Sequence, residues 1–130
     1  MNKEFVPYEE SLALKELGFD EPCFGYYSEL GSFNFEVNKT NSNCNKPGMH
    51  GKYCTAPTYS QTFRWFRDKH ELDSEIYMNH EYGIKIYTYL VLKLEKSIIS
   101  HKSGYAVKQN IYEEAELACL RKLIEIVKIK

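Results

Sequence analysis

The chain has 130 residues, 43% hydrophobic and 27% charged, with a formal net charge of −1. That length fits a single domain over residues 1–130 and buries roughly two-thirds of the surface the unfolded chain exposes, so a core needs neither metal nor disulfide. The near-neutral charge excludes a global electrostatic footprint for nucleic acid or for an anionic membrane, and leaves only local patches to consider.

Aromatic residues make up 15% of the chain, with 11 Tyr and 7 Phe. Rings with an apolar body and a polar tip suit sheet surfaces and interfaces. The first residues hold no apolar run of signal-peptide length. The longest apolar-rich stretch, residues 84–94, is broken by Lys85 and Lys93 and is too short for a membrane span. A cytoplasmic protein is the expectation, with Cys23, Cys44, Cys54 and Cys119 reduced.

In chain order, Pro7, Glu9 and Glu10 open a first helix, where a missing N–H costs nothing and acids meet the positive end of the dipole. Gly18 closes it as a C′ glycine, with Phe19 folding back and Leu14 and Leu17 inward. Cys23 begins an extended run, and Phe33, Phe35 and Val37 alternate with Asn34 and Glu36 as a half-buried strand. Gly31 between the two runs predicts a hairpin. Residues 38–55 are Asn-rich, with Pro47, Gly48 and Gly51, and read as a long loop.

A second helix starts at Pro57, with Thr55 or Ala56 near its cap. Tyr59, Thr62, Phe63 and Phe66 share one face, and Trp65 lies on the other side. Residues 73–94 read as a second hairpin, turning over residues 79–83. Its second arm places Ile84, Ile86, Leu90, Leu92 and Leu94 on one face and Tyr87, Tyr89 and Val91 on the other, which predicts a central strand. A short strand is expected at residues 105–107. Asn110 is placed as the cap of a last helix, whose stripe runs through Leu117, Cys119, Leu120, Leu123, Ile124, Ile126 and Val127. The expected core is Phe63, Phe66, Ile86, Leu90, Leu120, Leu123 and Ile124.

Three blocks, VPYE with LKELGF (residues 6–9 and 14–19), APTYSQTFRWFR (residues 56–67) and YEEAELACLRKLIE (residues 112–125), resemble small uncharacterised proteins of Bacteroidetes and of their phages and prophages. The three blocks together hold under a third of the chain. It implies a phage or mobile-element setting and brings no catalytic residue with it.

Candidate chemistry is sparse. Cys44, His50 and Cys54, with Cys23 as a possible fourth ligand, lack the close Cys pairs of structural zinc sites, and ordinary loop residues account for them better. Cys119 on an apolar helix flank reads as core, and no nucleophile elbow, phosphate loop or dinucleotide fingerprint is present in the sequence. His70, His80 and His101 have no orienting partner placed beside them. Arg64, Trp65, Arg67 and Lys69 cluster on the second helix and form the candidate binding patch. Base stacking on such a patch is one reading, but Asp68 and Glu71 dilute its charge. A protein partner fits a Trp/Arg patch better.

The sequence therefore predicts an α+β domain of order α-β-β-α-β-β-α, with one antiparallel sheet of two hairpins covered on one face by three helices. The expected function is non-enzymatic: an accessory protein that binds a host or phage protein, without cofactor or membrane. The alternatives are a single-stranded nucleic-acid binder and an enzyme whose site carries no known motif.

Overall fold

Glycine and aromatic positions that punctuate the sequence turn into the joints of the fold. The computed structural model describes residues 4–35, 53–93, 98–101 and 111–129. Over them the order is α1 (Tyr8–Glu16), β1 (Gly25–Tyr27), β2 (Phe33–Phe35), β3 (Cys54–Ala56), α2 (Tyr59–His70), β4 (Leu72–Glu81), β5 (Ile84–Lys93), β6 (Ile98–His101) and α3 (Tyr112–Ile129). The α+β class and the alternation of helices with hairpins stand. The two hairpins do not share one sheet, however. Each gains a third strand, giving the separate antiparallel sheets β2-β1-β3 and β4-β5-β6. The helices divide accordingly: α1 packs on β3, and α3 packs on β4 and β5. The chain forms two compact units, Met1–Thr62 and Phe63–Lys130, with the boundary inside α2.

In the first unit, α1 ends in a Schellman motif. The N–H of Phe19 donates to Leu14 O at 2.9 Å and that of Gly18 to Lys15 O at 3.1 Å, with Gly18 at φ 100°. A positive φ at C′ suits glycine, and the motif folds Phe19 into the core beside Leu14. Pro7 flanks the helix at its N-cap rather than lying inside the first turn. Ahead of it, Phe5 pairs with Thr58, and the Val6 N–H donates to Pro57 O at 2.9 Å. The Val6 carbonyl in turn accepts the Tyr27 hydroxyl at 2.6 Å and the Ser11 hydroxyl at 3.2 Å. Phe5, Tyr27, Cys54 and Ala56 form a buried cluster edged by Tyr8 and Phe33. The Phe5 and Phe33 rings stand 4.8 Å apart.

Cys54 and Thr55 belong to β3, not to a loop: Cys54 pairs with Tyr27 and Thr55 with Tyr26, and both are buried. The cap of α2 is Thr58, whose Oγ1 accepts the Gln61 N–H at 3.2 Å. The buried arc of α2 runs through Tyr59, Thr62 and Phe66 and continues to Trp65. Phe63 lies on the other flank of that arc and is half-buried. The helix stops at Glu71, which takes φ 56° where glycine is usual.

In the second unit, β4 and β5 pair without interruption from Leu72↔Lys93 to Glu81↔Ile84. The turn is only Tyr82 and Gly83, at φ 52° and 77°. Two consecutive positive φ values mark a type I′ turn, whose twist matches that of the strands. Residues 79–81 are therefore strand rather than turn. β5 is central, as its two apolar faces predict. β6 lies at Ile98–His101; residues 105–107 and Asn110 fall outside the described residues.

α3 buries Ala115, Cys119, Leu120, Leu123 and Ile124. It covers the sheet face that carries Ser74 and Val91, a cross-strand pair, through the hydrogen bond between Cys119 and Ser74. Ile86 and Leu90 point to the opposite face and are half-buried, short of full burial. Between them Thr88 is buried, and its hydroxyl has no hydrogen-bond partner among the described residues.

Candidate interaction surface

The cationic patch read from the sequence does not assemble as a stacking surface. Arg64, Arg67 and Lys69 are exposed, but Trp65 is only 3% exposed. Its ring packs edge-on against Phe66 at 5.0 Å and His70 at 4.9 Å. Helical spacing places Trp65 three residues from buried Thr62, which draws it into the core flank. Arg67 pairs with Asp73 of β4 at 3.7 Å, an exposed ion pair of little stabilising value.

Of the metal candidates, Cys23 and Cys54 lie among the described residues. Cys54 is buried in β3, and its thiol lies 3.5 Å from its acceptor, Thr55 O. Cys44 and His50 fall outside the described residues. Among the described residues no group of three or more His, Cys, Asp or Glu side chains could hold a metal ion.

The remaining thiols are built for packing. Burial pushes Cys119 from its ordinary 9.0 up to about 12, with a Ser74 hydrogen bond acting weakly the other way. Burial raises Cys23 to about 12 as well, against side-chain hydrogen bonds with Thr55 and with Gln61, whose Oε1 accepts from the thiol. A nucleophilic thiol needs the reverse shift, towards thiolate at neutral pH. An open depression of about 330 Å³ is lined by Ser28, Glu29, Leu30 and Tyr53, a set without histidine or cysteine.

What the fold does build is a projecting hairpin. The first residue of α3, Tyr112, meets Tyr87 of β5 edge-to-face at 5.7 Å. Further along, Cys119 reaches Ser74. The helix thus covers the hairpin from the Ser74–Val91 level to the Tyr87 level. From Tyr87 to Ile84 the strand runs on for roughly 10 Å. From that level to the turn Tyr82 is fully exposed at 101%, Ile84 is 54% and Met78 43% exposed, and Tyr77, one residue inboard, is 38% exposed. Asn79, His80 and Lys85 are exposed among them.

Sequence reasoning missed this surface because alternation groups Ile84 with Ile86, Leu90 and Leu92 on one apolar face and does not say where along the strand that face is covered. The available signal was the Tyr82–Gly83 dipeptide, which sets a tyrosine where a two-residue hairpin turn favours asparagine or glycine.

No protein-family model, curated protein or solved structure matches the chain. Among the described residues no helix is long and apolar enough to cross a membrane.

Proposed function

We propose that the chain is a non-enzymatic accessory protein of a phage or mobile element, which binds a host or phage protein through the distal part of the β4–β5 hairpin. The observation that carries this reading is the exposed group Tyr77, Met78, Tyr82 and Ile84 on the outer half of the β4–β5 hairpin. Solvent-exposed aromatic, Met and Ile side chains gathered at one tip are the residue types that anchor protein interfaces. Strain held at Tyr82 supports it, since glycine or asparagine folds this turn more cheaply. The mobile-element setting rests on the three resembling sequence blocks.

The test is a pull-down from Bacteroidetes lysate, run with and without nuclease, using the native chain and a Tyr82→Ser, Ile84→Ser variant. A defined protein captured by the native chain and lost by the variant supports the proposal. Capture that vanishes with nuclease overturns it in favour of nucleic-acid binding.

A further inference from the structure

The outer edge of β4 has a hydrogen-bonding pattern that its hairpin fixes. In a two-residue hairpin the residues flanking the turn exchange both backbone hydrogen bonds, and such pairs recur at every second residue. Here the flanking pair is Glu81↔Ile84, so Asp73, Glu75, Tyr77 and Asn79 aim their N–H and C=O groups at β5. Ser74, Ile76, Met78 and His80 aim theirs outward. The Ser74 N–H is already taken, donating to the Asp73 carboxylate at 2.9 Å. Among the described residues, β4 is the outer strand of its sheet, and nothing hydrogen-bonds the outward groups of Ile76, Met78 and His80.

Protein edges are commonly blunted by Lys, Pro or a bulge. β4 contains no Lys and no Pro, and its register with β5 is continuous. The side chains beside the open stretch differ by face. Glu75, Tyr77 and Asn79 are exposed on one side; Met78 and His80 are exposed and Ile76 half-buried on the other.

We infer that residues 76–80 of β4 take an added β-strand from a partner protein, an extended segment that alternates basic and apolar side chains. This deepens the interaction reading above and rests on it. The six outward N–H and C=O groups of Ile76, Met78 and His80 supply the main-chain bonds of strand addition, and alternate side chains supply selectivity. Basic side chains meet Glu75 and the Tyr77 ring, by charge and by cation–π contact. Apolar ones cover Ile76 and Met78. Charge also selects against self-pairing: a second copy would bring the same acidic strand, setting like charge against like.

Strand addition is tested with the full chain and synthetic ten-residue peptides alternating Lys with Val, Glu with Val, and Lys with Val interrupted by Pro. Binding is followed by fluorescence anisotropy and by amide hydrogen exchange. The Lys/Val peptide is expected to bind at least about tenfold more tightly than the other two and to slow exchange at Ile76, Met78 and His80. Met78→Pro deletes one outward N–H, at a position where an edge strand accepts proline. It should weaken the Lys/Val peptide at least about tenfold with an unchanged circular dichroism spectrum. Glu75→Lys, which leaves the backbone alone, should also weaken that peptide and favour the Glu/Val one.

Equal binding of the Lys/Val and Glu/Val peptides overturns the inference, as does edge protection that appears with protein concentration alone, the mark of a second copy. If the lysate partner is lost with Tyr82→Ser, Ile84→Ser but kept by Met78→Pro and Glu75→Lys, strand addition fails while the hairpin reading survives. If none of these variants loses it, both fail.

Discussion

The Phe33 ring lies over Gly25, so closely that a β-carbon on Gly25 would stand 2.7 Å from Phe33 Cε2. Phe33 cannot yield alone, because its ring also packs on Phe5, Tyr27 and Phe35. Gly25→Ala must push the aromatic cluster apart, and the loss should exceed the small gain from a stiffer unfolded chain. The expected cost is about 1–2 kcal/mol, measured by urea denaturation. Phe33→Leu in the same chain should recover part of it, and the double-mutant cycle gives the coupling.

Thr88, in the central strand β5, holds a buried hydroxyl without a partner among the described residues. Thr88→Val keeps the β-branched shape and removes a group that was desolvated without compensation. Stability should rise by about 1 kcal/mol. A loss instead would show that the hydroxyl has a partner in solution.

Tyr82 sits at φ 52° in the first position of the hairpin turn. Tyr82→Asn creates the Asn-Gly pair that type I′ turns favour, so thermal stability should increase, by about 0.5–1 kcal/mol. The same variant should lose the captured partner, because it removes the most exposed ring of the tip. A variant that is both more stable and equally active in capture would separate the strain from function.

Alkaline pH should unfold the chain progressively. The native state holds the Cys23 and Cys119 protons up to about 12, whereas in the unfolded chain they leave near the ordinary 9.0. Above that lower value the unfolded state binds fewer protons, so stability falls as pH rises, by up to about 1.4 kcal/mol per pH unit for each thiol. Below it the contribution is fully present. Urea midpoints between about pH 8 and about pH 11 should slope downward, and Cys119→Ala should flatten that slope.

Local sequence determined those elements whose signals are complete within one turn or one strand. Gly18 and Phe19 ended α1 because only a residue tolerant of positive φ carries the Schellman bonds. The two-sided apolar pattern of residues 84–93 required neighbours on both edges, and β5 has them. The stripe through Leu120, Leu123 and Ile124 required a core beneath it, and all three are buried.

Tertiary structure decided what those signals share with distant residues. Cys54 to Ala56 is too short for an alternating pattern, and only pairing with β1 makes it a strand, which separates the two sheets. Trp65 and Phe63 flank the same arc of α2, and its neighbours, not its periodicity, chose which ring to bury. Period-2 alternation states which residues share a face, but how far along the hairpin a helix covers that face depends on where Tyr112 meets Tyr87. Burial is a property of what arrives from elsewhere in the chain, and so the exposed tip and the open β4 edge exist only in three dimensions.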